Sequence, residues 1–149
     1  MEIERKFLVN LRDIDLNEYK CHKIMQGYIC KDPVIRVRLE DEEMYLTVKG
    51  KGLLTREELN LPLSTEAFDD LIKKTDGKYI RKTRYLIPYD THTIELDVFH
   101  EKLEGLMIAE VEFDSVEDAN AFVAPEWFIE DVTDDVQYQN VNLIERKGI

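Results

Sequence analysis

At 149 residues with 44% hydrophobic side chains, the chain has the length of a single domain, expected to span 1–149, with enough apolar material for a core. Its formal net charge of −12 argues against a general nucleic-acid surface, which needs a basic patch, while leaving room for a basic pocket inside an acidic shell. No stretch approaches the ~20 consecutive apolar residues that cross a bilayer, and there is no apolar signal segment. Cys21 and Cys30 lack zinc-ligand spacing, so a cytoplasmic protein with reduced thiols is expected.

Periodicity near two dominates the first half and predicts strands over 2–9, 22–30, 34–40, 43–49 and 53–61. Turn chemistry separates them. Asp32-Pro33 divides the second from the third, Asp41-Glu42 makes a tight hairpin, and Gly50-Lys51-Gly52 precedes the fifth. Ser64-Thr65-Glu66 then opens a helix over 65–75, with Phe68, Leu71 and Ile72 on one face and Asp76-Gly77 at its end. Strands over 78–88, 92–99 and 106–114 follow, and Pro88 falls near a strand end, where a missing ladder donor is tolerated. A second helix is predicted from Ser115, with Glu117 and Asp118 in its first turn. The tail, 126–147, is predicted to form one or two short helices, with Trp127 and Phe128 docking it onto the body and Arg146 and Lys147 reaching one end of the strand array.

Eight antiparallel strands in so short a chain predict an α+β fold built on a closed or strongly curved sheet, since closure removes exposed edges. Side chains at i and i+2 share a strand face. Glu2 and Glu4, Glu95 and Asp97, and Glu110 and Glu112 therefore project as carboxylate pairs, and Arg36 with Arg38 and Lys82 with Arg84 project as cationic pairs. A solvated face mixes signs along each strand. Here acids gather on strands one, seven and eight, and bases on strands three, four and six, which predicts two walls of an internal cavity. Buried charges on that scale persist only when they satisfy each other, a metal or a bound anion. His22, His92 and His100 are scattered without ligand spacing and are assigned surface or turn roles.

The opening EIERKFLV resembles the ExExK signature of the CYTH family, the triphosphate tunnel metalloenzymes, through Glu2, Glu4 and Lys6. Family-like elements follow in order along nearly the whole chain: QGYI at 26–29, the RVR of Arg36 and Arg38, TVKG with Lys49, Arg56-x-Glu58, KTR, ELD, EVEF, and DVTDD followed by Tyr138-Gln139-Asn140. The resemblance implies an eight-stranded antiparallel tunnel that binds a triphosphate with one or two divalent cations. On that reading Lys6, Arg36, Arg38, Lys49, Arg56, Lys82 and Arg84 clamp phosphate oxygens. Glu2, Glu4, Glu95, Asp97, Glu110 and Glu112 supply hard oxygens for Mg²⁺ or Mn²⁺. Glu4 and Glu58 serve proton transfer and its orientation, with Lys6 and Tyr28 as an alternative proton-handling pair.

The family includes inorganic triphosphatases, thiamine triphosphatases, RNA triphosphatases and class IV adenylyl cyclases, which the tunnel motifs do not separate. Short turns and the absence of an aromatic cluster suited to a base or thiazole ring favour a small substrate. The expected reaction is hydrolysis of inorganic tripolyphosphate to pyrophosphate and phosphate by metal-activated water. The open alternatives are a cyclase, a thiamine triphosphatase and a non-catalytic polyphosphate or nucleotide binder. No nucleic-acid or membrane partner is expected, and the sequence leaves a homodimer open.

Overall fold

Strand β1 (Glu2–Val9) alternates Glu2, Glu4 and Lys6 with Ile3, Arg5 and Phe7, and that alternation places it in the wall of a wrapped sheet. The structure, a computed structural model, describes residues 1–145. The next strands are β2 (Cys21–Lys31), β3 (Val34–Glu40) and β4 (Glu43–Lys49). A two-residue turn with Asp41 at φ 55° pairs Glu40 with Glu43. The segment expected as one strand over 53–61 is broken at Glu57 into β5 (Thr55–Arg56) and β6 (Glu58–Pro62). Helix α1 (Thr65–Ile72) is capped by Ser64, whose hydroxyl accepts from the Ala67 amide, and it ends in a 3₁₀ turn rather than running on to 75. Then come β7 (Tyr79–Tyr89), β8 (His92–Phe99), β9 (Met107–Glu112), α2 (Val116–Ala121), β10 (Phe128–Asp131) and α3 (Asn140–Leu143).

All strand pairs are antiparallel, in the order β10-β1-β9-β8-β7-β2-β3-β4-β6. The break at Glu57 lets the sheet wrap round on itself. β6 pairs with β4, while β5, the preceding piece of the same extended segment, pairs with β1 through Glu2↔Arg56 and Ile3↔Thr55. Around this circuit the register sets charged residues side by side, with Glu4 opposite Glu112, Lys6 opposite Glu110, Arg84 opposite Asp97 and Lys49 opposite Glu58.

The tail holds one of the expected short helices, α3, but its first part forms a strand instead. β10 adds to β1 through Phe7↔Asp131 and Leu8↔Glu130, taking the edge that β5 leaves free. Helix α3 follows a 3₁₀ turn capped by Asp135. Arg146 and Lys147 lie outside the described residues. Trp127 and Phe128 pack as expected, with Phe128 4.6 Å from Phe7 between ring centroids.

Apolar side chains on the outward faces of β1, β8 and β9, among them Ile94, Leu96 and Val111, are covered by α2 and the tail aromatics. A second cluster joins Ile80, Phe99, Leu103, Leu106 and Ile108 to Val141, Leu143 and Ile144 of the C-terminal segment. Burial of each large side chain contributes about 1.5–3 kcal/mol. Gly27 is required where β2 meets the turn after α1, because a Cβ there would lie 2.8 Å from the Thr75 methyl carbon. No described helix is long and apolar enough to cross a membrane.

Candidate active site

The charged stripe faces inward. Glu2, Glu4, Lys6, Arg36, Arg56, Lys82, Arg84, Asp97 and Glu110 are all buried. A cavity of about 140 Å³ is lined by Glu2, Glu4, Lys6, Tyr28, Arg36, Arg38, Lys49, Arg56, Glu58, Arg84, Glu95, Glu110 and Glu112, so thirteen of the fifteen sequence-predicted residues meet there. Lys82 and Asp97 do not line it. They sit behind Arg84, 1% and 0% exposed, with Lys82 Nζ 2.6 Å from Asp97 Oδ2. Arg84 donates through Nε and Nη2 to the two Asp97 oxygens at 2.8 and 3.0 Å, so this carboxylate is fully engaged by cations of the chain itself.

Glu2, Glu4 and Glu112 can each bring one carboxylate oxygen within 4.8 Å of the others. These are hard donors suited to Mg²⁺ or Mn²⁺. Burial and the negative charge of Glu4 push the Glu112 carboxyl up, and a divalent cation would relieve that repulsion, so the donor set fits such an ion. The other three expected ligands are directed elsewhere. Glu110 accepts from Arg84 Nη2 at 3.0 Å and lies 3.6 Å from Lys6 Nζ. Burial opposes its charge, but those cations hold it well below the ordinary range. Glu95 accepts from Arg84 Nη1 at 3.2 Å, yet burial and the neighbouring acids Glu110 and Asp97 push it up to about 7. Asp97 is taken up as described.

Glu2 carries two opposing signals. Lys49 Nζ contacts both its oxygens at 3.0 and 3.1 Å, as it would an ionised carboxylate, while burial, a hydrogen bond with Glu58 and the charge of Glu4 push it up to about 8. Glu58 shifts the other way, down to about 2, because its hydrogen bonds with Glu2 and Asn60 and the charge of Lys49 outweigh burial. The opposed shifts fit one proton shared between the two carboxyls, with Lys49 facing the single remaining charge.

The opposite wall is crowded with cations. Burial and the adjacent guanidiniums of Arg36 and Arg84 push Arg38 down to about 9, still charged at neutral pH, with Glu40 Oε1 3.4 Å from its Nη1. Arg36 donates through Nη2 to Thr47 Oγ1 at 3.1 Å, whereas its buried Nε has no partner among the described residues. A buried donor left unpaired costs about 1–3 kcal/mol, and an anion in the cavity would recover that. Burial pushes Tyr28 up, and Glu110 and Glu4 raise Lys6 despite its burial, so both side chains hold their protons.

Several contributors escaped the sequence analysis. Gln26 is fully buried, accepts from Arg38 Nε at 2.9 Å and donates to the Tyr28 hydroxyl at 2.8 Å. The QGYI motif places it two residues before Tyr28 on the same face, and that spacing was the available signal. Thr47 and Asn60 support Arg36 and Glu58, and Gln139 and Asn140 close one side of the cavity from the tail. The three histidines contribute to no metal cluster among the described residues; His22 pairs with Asp41 at 2.6 Å and His100 with Thr83 at 2.7 Å.

No protein-family model matches the chain. Among curated proteins it is 40% identical over 144 residues to an inorganic triphosphatase of Nitrosomonas europaea, covering 93% of each chain. An inorganic triphosphatase of Acetivibrio thermocellus is 39% identical over 150 residues, covering 97% of this chain and 93% of the relative. The chain belongs to the inorganic triphosphatases of the CYTH family. A crystal structure of an inorganic triphosphatase superposes with a TM-score of 0.69 at 36% identity, over 97% of this chain and 94% of the other. The two-walled cavity thus lies in a triphosphate tunnel of the CYTH type.

Proposed function

We propose that the tunnel hydrolyses inorganic tripolyphosphate to pyrophosphate and phosphate with Mg²⁺ or Mn²⁺. The carrying observation is the small cavity with a carboxylate cluster on one wall and, on the other, crowded arginines that include an unpaired buried donor. Phosphoryl transfer needs positioning and charge neutralisation more than covalent help, and those are what such walls offer.

In this reading Arg36, Arg38, Lys49, Arg56 and Arg84 hold the phosphate oxygens, with Arg36 Nε directed at one of them. Glu2, Glu4 and Glu112 hold the divalent cation, which when bound supplies positive charge against the phosphate oxygens and acidifies nearby water. Glu4 takes a proton from the attacking water, and Glu58 fixes the orientation of Glu2, which gives up the proton it shares with Glu58 when it holds the cation. Lys6 and Tyr28 keep their protons and act as donors to phosphate oxygens rather than as bases. Lys82 and Asp97 act through Arg84 without touching substrate. The two free cysteines suit a reducing cytoplasm. The acidic surface suits no nucleic-acid partner, and a homodimer is open to test by sedimentation.

The test is release of phosphate and pyrophosphate from tripolyphosphate, ATP and thiamine triphosphate with Mg²⁺, Mn²⁺ or chelator, with cyclic AMP followed in the ATP reactions. Metal-dependent tripolyphosphate cleavage that outpaces ATP turnover is expected. Cyclic AMP as the main product would reassign the chain to the cyclases, and tight binding without product would make it a binder.

A further inference from the structure

Two surface pockets share lining residues with the cavity, each through a different set, and we take them as its two openings. The first, about 750 Å³, meets it at Glu2, Glu95 and Glu112 and is also lined by Asp114 and Asp118, with no lysine or arginine among the described residues of its wall. The second, about 270 Å³, meets it at Val34, Lys49, Arg56 and Gln139 and adds Lys31 and Lys51, with Asp32 as the one acid among the described residues of its wall. The two share no lining residue.

The charge of the whole chain, −12, repels a polyanion from almost any direction of approach. Only an opening with a locally reversed field offers such a substrate an attractive path, since exposed charges are felt over a Debye length of about 8 Å at physiological salt. The rim lysines are held loosely. Lys31 Nζ lies 2.7 Å from Glu145 with both side chains half exposed, and Lys51 Nζ lies 3.7 Å from Asp32 with both well exposed. Exposed pairs of this kind are worth about 0–1 kcal/mol, so a passing polyphosphate can displace the acids readily.

We propose that the polyanionic substrate enters and leaves through the basic opening between the 31–34 turn and the 50–53 loop, with Lys31 and Lys51 steering it inward to Lys49 and Arg56. The acidic opening does not carry polyanion traffic. The proposal rests on the triphosphate reading above, and names the route by which that substrate reaches the site. Lys31 and Lys51 lie outside the cavity and touch no reacting atom, so they act on capture and not on chemistry.

The test compares three double variants. Lys31→Gln with Lys51→Gln removes the basic rim; Lys73→Gln with Lys74→Gln makes the same change in net charge at exposed positions that line neither opening; Thr91→Glu with Thr93→Glu adds acid to the other opening. For the rim variant, kcat/KM for tripolyphosphate is expected to fall about fivefold at low ionic strength and less than twofold in high salt, with kcat unchanged. The other two should stay within about twofold of the unaltered chain. Tripolyphosphate affinity measured by calorimetry in chelator, as a function of salt, gives a readout that needs no turnover. Equal losses in the rim and Lys73/Lys74 variants would reduce the effect to net charge, and a larger loss in the Thr91/Thr93 variant would place the route at the acidic opening; either overturns the proposal. Absence of tripolyphosphate binding by the unaltered chain would sink the functional reading as well, which separates the two failures.

Discussion

Asp97 grips Arg84 with both carboxylate oxygens, Oδ1 taking Nε at 2.8 Å and Oδ2 taking Nη2 at 3.0 Å, while Lys82 closes on Oδ2 from behind at 2.6 Å. Two buried cations thus share one buried carboxylate, and the free end of Arg84 is aimed at Glu95 and Glu110 in the cavity. The arrangement fixes a guanidinium that has no room to reorient.

Asp97→Asn should therefore damage both stability and substrate binding. Removing one partner of a buried ion pair costs about 3–5 kcal/mol, because the remaining charge is stranded. Chemical denaturation should show a loss of that order, and the folded fraction should bind tripolyphosphate more weakly. A variant that keeps full stability and loses only metal binding would return Asp97 to the metal ligands.

Glu4→Gln and Glu112→Gln should each cut metal-dependent turnover by at least about tenfold, as expected for loss of groups that hold or orient an ion. Tripolyphosphate affinity in chelator should change little, because the clamp lies on the other wall. Calorimetric titration with Mn²⁺ supplies the independent readout, in which both variants bind the ion more weakly. Unchanged turnover in both would remove the site from the Glu2, Glu4 and Glu112 cluster.

Much of this was legible in the sequence because two periodicities coincide. Alternation placed β1, β3, β4 and β8 at their observed ends, and the segregation of acids and bases by strand identified the inward face. What escaped was set by tertiary contact. β10 has a weak strand pattern, FIED, and exists because the upper half of β1 offers a free edge. The break at Glu57 has no turn residue to announce it; it arises where one extended segment changes partner from β1 to β4. Lys82 and Asp97 share the parity of the cavity residues, yet Arg84 lies between them and the open space. Parity tells which face a side chain takes, but not how deep it sits.

A pH signature follows from Glu95, whose folded carboxyl is pushed up to about 7 first by burial and then by Glu110 and Asp97. A raised carboxyl favours the protonated folded state. In the window between the ordinary value, about 4.5, and about 7 the folded chain holds more of this proton than the unfolded one, so stability falls as pH rises. Glu95→Gln removes this contribution and keeps an acceptor for Arg84. In chelator, the stability of the variant relative to the unaltered chain should improve as pH rises from about 4.5 to 7 and then level off. Parallel curves across that window in urea melts would show that Glu95 titrates normally.

Gln26 offers the sharpest separation of positioning from chemistry. It is fully buried, it touches no open space in the cavity, and its amide joins Arg38 Nε to the Tyr28 hydroxyl. Gln26→Leu roughly keeps the volume and strips both hydrogen bonds, leaving Arg38 without its lateral support and Tyr28 free to rotate its hydroxyl. Stranding the two partners should cost about 1–3 kcal/mol in unfolding free energy. With Arg38 unfixed, KM for tripolyphosphate should rise several-fold while kcat falls less, since Gln26 meets no reacting atom. Gln26→Glu keeps an acceptor for Arg38 and adds a counter-charge among crowded cations, so it should recover stability while weakening the pull of that wall on phosphate. If both variants lost stability alone, with KM unchanged, Arg38 would hold its place without Gln26.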